Sequence, residues 1–306
     1  MSAGAQGHIA MLAFSALVAG SFSLGADAAA FIDPGVMNAA RFAIASLIIG
    51  VAAAVTTGLP RAAFRASWRY LLLGGMLATY FVLMFEGLKT AAPVSAAAVF
   101  TLTPVMAGVA GWLMLGQRST PRMMLALLLG GGGALWVIFR ADLGALIAFE
   151  IGRGEAIYFV GCIAHAVYTP MVRKLNRGEP AVIFTFGTLA AGTVLLGVWS
   201  GRDLMATEWT ALPPVVWVTL AYIAVCASAA TFVLLQFATL RLPSAKVMAY
   251  TYLTPSWVIA WEVARGQDIP GAPVLGGVGL TILALILLLR DEVGSDGMEP
   301  SAPARR

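Results

Sequence analysis

Charged residues are scarce in this sequence. Only 11% of its 306 residues are Asp, Glu, Lys or Arg, whereas 60% are hydrophobic. Soluble globular chains carry about 25% charged residues, so a chain of this length with so few charges could not cover the surface of a soluble domain. The composition therefore excludes an ordinary soluble protein and predicts a chain whose surface faces lipid.

Cysteines are few, and the familiar enzyme motifs are missing. The two cysteines, Cys162 and Cys226, lie in apolar stretches without a C-x-x-C spacing, which predicts neither a zinc site nor a disulfide framework. The sequence contains no H-E-x-x-H, no G-x-S-x-G and no Walker A motif. We therefore predict no enzyme activity, no metal, no cofactor and no direct use of ATP. The formal net charge of +4 is scattered between hydrophobic stretches, which argues against nucleic acid as a partner.

Ten hydrophobic stretches are long enough to cross a membrane. A spanning helix needs about 20 mostly apolar residues, because the hydrocarbon core is about 30 Å thick. Charged residues, Pro and Gly divide the sequence into predicted spans at 9–32, 36–55, 68–88, 92–115, 123–139, 155–172, 181–199, 215–235, 244–263 and 273–289. The first stretch could instead be a signal peptide cleaved near residue 28, but no Lys or Arg precedes it, so a retained helix is predicted.

The distribution of Lys and Arg orients the predicted helices. If both termini are cytoplasmic, twelve of the 19 Lys and Arg residues fall on cytoplasmic segments or, for Arg69, at the cytoplasmic end of a span. Five fall on external segments, and two, Arg41 and Lys246, lie within spans. The positive-inside rule favours this arrangement. We predict an all-α membrane protein of ten transmembrane helices with both termini in the cytoplasm, followed by a disordered cytoplasmic tail at 291–306.

The two halves of the chain resemble each other at a shift of 151 residues. This shift aligns Leu102-Thr103-Pro104 in the fourth predicted span with Leu253-Thr254-Pro255 in the ninth. Because five spans in each half give the halves opposite orientations, we predict an inverted-topology repeat with units at 1–145 and 146–290. This architecture recurs in secondary transporters, whose solute site lies near the bilayer midplane between the halves.

These features resemble the EamA-type branch of the drug/metabolite transporter superfamily. The resemblance rests on ten spans in two halves, on the Thr-Pro in spans four and nine, and on the Gly116-Gln117 and Gly266-Gln267 that follow them. The branch often has Gly-Glu at these positions, so Gln117 and Gln267 depart from its common pattern. Within the branch, the sequence is most similar to the YddG-type exporters of aromatic amino acids.

The resemblance implies a secondary transporter in a bacterial inner membrane. It would export amino acids or related metabolites, aromatic ones favoured, by alternating access around a central cavity. Its partners would be a small-molecule substrate and the lipid bilayer, with the chain acting as a monomer. A broad-specificity drug or nucleoside exporter remains an alternative, because it would share an aromatic cavity. A membrane scaffold or enzyme is a further alternative, but it leaves the repeat unexplained.

Pro104 and Pro255 lie in the middle of spans four and nine. Proline lacks an N–H and clashes with the carbonyl four residues earlier, here the carbonyls of Phe100 and Thr251. Within a membrane, such carbonyls must be satisfied inside the protein or by a water-filled cavity. We interpret the two prolines as gating kinks beside a solute pathway; the alternative is kinks that packing absorbs.

Several predicted spans carry polar and aromatic residues at helical spacing. In the ninth span this spacing predicts a single stripe that ends at Trp261, opposite small residues of the fourth span. Such a wall suits a flat, partly apolar solute, which aromatic rings could bind by stacking or by cation–π contact. The predicted pathway residues are Tyr80, Met84, Thr103, Tyr158, His165, Tyr168, Lys246, Tyr250, Thr254 and Trp257.

Ionisable residues within or beside the spans provide further hypotheses. An ionisable group in the membrane interior, such as His165, is a functional hypothesis by default; the alternative is a neutral imidazole hydrogen-bonded across helices. Lys246 could attract a solute carboxylate on the cytoplasmic side. Arg41 and Asp27 are placed at the outer ends of spans two and one, where they either pair as an outer gate or are solvated. Glu86 either snorkels to the interface or pairs with Lys89.

Overall fold

A computed structural model describes residues 3–117, 120–148 and 151–290 of the chain. All regular secondary structure in these ranges is helical, which confirms the predicted all-α class for this part of the chain. The α-helices are α1 (Ala3–Ala28), α2 (Pro34–Thr56), α3 (Trp68–Leu88), α4 (Pro93–Phe100), α5 (Thr103–Leu115), α6 (Pro121–Ile138), α7 (Leu143–Ala148), α8 (Arg153–Leu175), α9 (Ala181–Trp199), α10 (Gly201–Ala206), α11 (Pro214–Ala224), α12 (Thr231–Thr239), α13 (Ser244–Ala249), α14 (Thr254–Ala264) and α15 (Ala272–Arg290).

Prolines and one aspartate define where many of the helices begin. Proline is tolerated in the first turn because the N–H groups there have no partner within the helix. The Asp33 carboxylate also caps α2, accepting hydrogen bonds from the backbone N–H groups of Gly35 at 2.8 Å and Val36 at 3.1 Å. Prolines occupy the first or second position at Pro34, Pro93, Pro104, Pro121, Pro214 and Pro255.

Nine helical stretches among the described residues are long and apolar enough to cross a membrane. Two of these stretches are interrupted: α4 and α5 are separated at Thr101–Leu102, and α11 and α12 are joined by a π-helical turn at Val225–Ala230. The ninth predicted span, 244–263, is divided into α13, a 3₁₀ turn at Tyr250–Leu253, and α14. Ten spans and the sides of the termini stay predictions, and the tail 291–306 lies outside the described residues.

Helices from the first half of the chain pack against helices from the second half. α1 contacts α11, α12 and α14; α2 and α3 contact α9; α3 also contacts α8; and α6 contacts α15. Some of these crossings are close enough to require glycine, because a Cβ built on Gly74 would lie 2.6 Å from the backbone nitrogen of Gly192. The interior of the bundle is therefore formed jointly by both halves, while the predicted units 1–145 and 146–290 stay predictions.

Candidate functional site

Four sequence-predicted pathway residues meet in a buried aromatic cluster where α3, α4 and α8 pack together. Tyr80 and Tyr158 share a hydrogen bond of 2.9 Å between their hydroxyl groups. The ring of Tyr80 stacks on His165 with centroids 4.4 Å apart, and the rings of Phe100 and Tyr168 stack near the same imidazole at 5.5 and 6.1 Å. We call Tyr80, Phe100, Tyr158, His165 and Tyr168 the aromatic cluster; each is at most 2% exposed.

His165 is held in this cluster by its ring faces alone. Neither ring nitrogen has a hydrogen-bond partner among the described residues. The alternative of an imidazole hydrogen-bonded across helices is therefore wrong for this conformation. An unpaired buried polar group costs about 1–3 kcal/mol, so such groups in folded proteins call for an explanation.

One other predicted pathway residue and one residue that was not predicted lie close to the aromatic cluster. Met84 is buried on α3, one helical turn beyond Tyr80. The Tyr168 hydroxyl accepts a hydrogen bond of 3.1 Å from the side-chain amide of Gln236 on α12. Gln236 was not predicted, although a polar side chain in an apolar span is the signal that could have identified it.

Arg41 is the most important residue that the sequence analysis misplaced. It does not lie at a helix end beside Asp27, because α2 begins at Pro34 and Arg41 is almost two turns inside it. Its side chain is fully buried, and its guanidinium carbon lies 3.6 Å from the centroid of the Phe81 ring. Asp27 pairs instead with Arg265 at the end of α14, so the proposed outer pair between Arg41 and Asp27 is wrong.

The guanidinium of Arg41 is fixed by the π-helical turn between α11 and α12. Its Nε donates a hydrogen bond of 2.5 Å to the Ser228 hydroxyl, and its Nη2 donates one of 2.7 Å to the Ala227 carbonyl. Asn38, one turn earlier on α2, accepts a longer contact of 3.5 Å from Nη1. π-Helical turns occur frequently at functional sites. Phe81 also packs 4.5 Å from Tyr80, centroid to centroid, so Arg41 adjoins the aromatic cluster.

The predicted kinks of the fourth and ninth spans meet in the core. Thr103 donates a hydrogen bond of 2.6 Å to the Phe100 carbonyl, which is the carbonyl that Pro104 deprives of a backbone partner. The hydroxyl groups of Thr103 and Thr251 lie 3.2 Å apart. Both prolines follow an interruption of the helix, as their sequence position predicts, and their gating role stays a prediction.

The predicted stripe on the ninth span is only partly correct. The 3₁₀ turn breaks the continuous helix that the spacing predicted. Tyr250 lies in this turn and shares a hydrogen bond of 3.0 Å with His8 of α1, while Trp257 on α14 donates one of 3.2 Å to Ser15 of α1. Trp257 is 38% exposed and so belongs to the margin of the bundle.

Two further members of the stripe, Lys246 and Thr254, are buried, whereas Trp261 at its end is only partly buried. Lys246 lies on α13, one turn before Tyr250. Thr254 begins α14, and its hydroxyl has no hydrogen-bond partner among the described residues.

Helix α1 contacts both the ninth-span residues and the aromatic cluster. His8 and Ser15 bond Tyr250 and Trp257. Phe22, further along the same helix, packs on Phe100 and Tyr158 with centroid distances of 6.0 Å.

Grooves on the outside of the bundle have a different character. Two grooves of about 640 and 510 Å³ are lined by apolar side chains that include Val105, Leu127 and Leu128. In a membrane such grooves would face lipid tails. The polar groups that could recognise a solute are in the buried interior.

A bundle of apolar helices around a buried polar and aromatic interior is an architecture that membrane transport proteins use. The chain belongs to the EamA-like transporter family, which matches residues 5–139 and again residues 152–290. It is 24% identical over 281 residues to "Uncharacterized transporter YyaM" of Bacillus subtilis (strain 168), covering 91% of this chain and 92% of that protein. A crystal structure at 20% identity has a TM-score of 0.69 and covers 94% of this chain and 96% of the other, so it shares the fold.

Family membership establishes the general role of the chain. It is a multi-pass membrane transporter, and both the family and the relative indicate transport and not enzyme activity. Family membership does not define the substrate, the direction or the mechanism of transport.

Proposed function

We propose that this transporter exports amino acids, with aromatic ones favoured, across the inner membrane of a bacterium. The observation that carries the proposal is the aromatic cluster, in which the Tyr80 and His165 rings stack 4.4 Å apart deep within the bundle. Stacked rings with hydroxyl and imidazole groups at their edges match a planar ring that also carries polar substituents. This arrangement suits an aromatic amino acid better than a fully apolar solute.

The proposed architecture is ten spans in two inverted repeats, with both termini in the cytoplasm. The double match to one family supports a repeat, because each half of the chain matches the same family separately. The interruptions before Pro104 and before Pro255 occupy equivalent places in the two halves. On this proposal α13, the 3₁₀ turn and α14 together form the ninth span.

The proposed mechanism is alternating access by a monomer. In this conformation the aromatic cluster is closed off, since all its side chains are at most 2% exposed. A solute therefore reaches the cluster only when the surrounding helices move apart, and the interruptions near Pro104 and Pro255 are where the fourth and ninth spans would bend. Tyr80, Met84, Tyr158, His165 and Tyr168 would contact the solute, and Lys246, Tyr250, Thr254 and Trp257 would line its route.

Transport by purified protein in liposomes tests this function. The liposomes would contain radiolabelled phenylalanine, tryptophan, threonine or a nucleoside, and release would be compared with that from protein-free liposomes. We expect the two aromatic amino acids to be released fastest, and Tyr80→Phe, which keeps the ring but removes the hydroxyl, to slow that release. Release of the nucleoside without release of any amino acid would refute the proposal and support the drug or nucleoside alternative.

A further inference from the structure

The charge of Arg41 has no counter-charge within the described part of the protein. None of the four ion pairs among the described residues involves Arg41. All three of its hydrogen-bond acceptors, Ser228, Ala227 and Asn38, are neutral. A buried charge is expensive unless it is paired, and charged residues inside membrane spans generally mark functional sites.

The buried and half-buried carboxylates that might have neutralised Arg41 have other partners. Each of these carboxylates already has a hydrogen bond or an ion pair that does not involve Arg41. Glu155 accepts a hydrogen bond from Ser95, Glu179 pairs with Arg69, and Glu86 pairs with Lys89. Asp27 and Glu262 both pair with Arg265.

The hydrogen bonds of Arg41 account for three of the five N–H groups of its guanidinium. A guanidinium carries five N–H groups, and the three contacts use one on each of its three nitrogens. One N–H remains on Nη1 and one on Nη2. A guanidinium can bind the two oxygens of a carboxylate through N–H groups on its two Nη atoms, and such bidentate pairs are among the strongest hydrogen-bonded contacts in proteins.

We propose that Arg41 is the receptor for the carboxylate of the transported solute. Ser228 and the Ala227 carbonyl orient the guanidinium, and the neighbouring aromatic cluster receives the apolar part of the solute. The substrate class is accordingly organic carboxylates with an attached ring. This inference rests on the proposed function for the location of the pathway, but it makes a separate claim, namely that the carboxylate is required and the ammonium group is not.

Competition between analogues of phenylalanine tests this claim in the wild-type protein. Each unlabelled analogue would compete with radiolabelled phenylalanine for transport into proteoliposomes. We expect 3-phenylpropionate, which lacks the ammonium group, to compete within a few-fold of phenylalanine. Phenylalaninamide, which lacks the carboxylate charge, should compete at least about tenfold more weakly, because hydrogen bonds to charged groups are worth that much. Equal competition by the amide would overturn the inference while leaving the proposed function in place.

Binding measurements on variants separate a receptor role from a purely structural one. Thermal unfolding of the protein in detergent would be followed with and without 3-phenylpropionate. We expect the ligand to raise the unfolding temperature of the wild type and to have no effect on Arg41→Gln. A matched control is Arg241→Gln, because Arg241 also stacks on a phenylalanine ring and bonds a backbone carbonyl but is exposed. The control should keep the wild-type response.

Ser228→Ala keeps the inference testable if Arg41→Gln does not fold. It leaves the guanidinium in place but removes an acceptor that orients it, so the affinity for 3-phenylpropionate should fall while the weak competition by phenylalaninamide stays unchanged. A variant that lowers competition by both compounds equally would indicate a structural role and overturn the inference. If phenylalanine is not transported but 3-phenylpropionate stabilises the wild type and not Arg41→Gln, the proposed function fails and the receptor inference stands.

Discussion

The ion pair between Arg69 and Glu179 yields a stability prediction with a definite pH dependence. Arg69 lies in the first turn of α3, and Glu179 lies in the connection between α8 and α9. Their Nη2 and Oε1 atoms are 2.7 Å apart, and the two side chains are only 2% and 9% exposed. The other carboxylate oxygen accepts a hydrogen bond of 2.6 Å from the backbone N–H of Arg177. The pair therefore joins the two halves of the chain at a site shielded from water.

Glu179→Gln removes the negative charge but keeps one acceptor oxygen. Breaking a fully buried pair costs about 3–5 kcal/mol, whereas a hydrogen bond to a charged group is worth about 1.5–3 kcal/mol. The smaller range applies here, because Arg69 also donates hydrogen bonds to the carbonyls of Leu175 at 2.6 Å and Ala63 at 3.3 Å. We expect a loss of about 2 kcal/mol in the free energy of unfolding at neutral pH.

The pKa of Glu179 determines how this loss changes with pH. Burial alone would raise the pKa of the Glu179 carboxyl. Hydrogen bonds from Arg69 and from backbone N–H groups, together with the charge of Arg69, outweigh burial. The pKa of Glu179 therefore lies below its ordinary value of 4.5. Because the pKa is lower in the folded state than in the unfolded state, the carboxylate makes its full contribution to stability at pH values above the unfolded-state pKa. That contribution is lost as the pH falls through the folded-state pKa.

Unfolding in detergent, followed by tryptophan fluorescence from about pH 7 to about pH 3, measures the effect. The difference between wild type and Glu179→Gln should be largest at neutral pH and should shrink in acid. Glu86→Gln is the control, since the Glu86–Lys89 pair is exposed and such pairs are worth about 0–1 kcal/mol. A difference that stays constant across this pH range would refute the reasoning, as would a Glu179→Gln variant that matches the wild type at neutral pH.

Three further predictions concern packing, a surface ion pair and the unpaired imidazole. A Cβ at Gly133 would lie 2.7 Å from a backbone carbonyl of α15, whereas a Cβ at Gly132 would have no atom within 4 Å. Gly133→Ala should therefore lower the free energy of unfolding by about 1–3 kcal/mol. An equal loss in Gly132→Ala would contradict this reasoning. Asp27→Asn should change stability by less than about 1 kcal/mol, because its pair with Arg265 is about one-third exposed; a larger loss on thermal unfolding would mean that the pair holds the bundle closed. His165→Phe should raise the free energy of unfolding, because it removes two buried nitrogens without hydrogen-bond partners. It should also slow the transport of phenylalanine. Unchanged transport would show that the imidazole has no role in transport.

Much of the fold follows from the sequence because lipid imposes a simple length requirement. Nine of the ten predicted spans correspond to apolar helical stretches, and the interruptions before Pro104 and Pro255 were expected from the chemistry of proline. The continuous stripe on the ninth span failed because helical spacing assumes an unbroken helix, whereas a 3₁₀ turn intervenes at Tyr250–Leu253. The Glu86–Lys89 pair was correctly offered as one alternative, since the two residues are neighbours on the chain.

The central part of the candidate site depended on contacts that sequence spacing does not encode. Tyr158 and His165 are seven residues apart, which places them on one face of a helix, but nothing local indicated that Tyr80 would stack on the imidazole. Arg41 was misplaced for a similar reason. Its acceptors at Ala227 and Ser228 come from a π-helical turn in the other half of the chain. A charge within an apolar stretch was the available signal, and it should have carried more weight than proximity to a helix end.

The irregular backbone segments and the polar side chains of the interior depend on one another. Irregular backbone inside a membrane is tolerated only where protein or a polar cavity satisfies its free groups. Thr103 satisfies the Phe100 carbonyl beside one interruption, and Arg41 binds the Ala227 carbonyl within another. Because Phe100 belongs to the aromatic cluster and Arg41 adjoins it, a solute bound at the cluster as proposed would contact groups that stabilise these interruptions. On the proposed alternating-access mechanism, these shared side chains would link binding in the interior to bending of the spans.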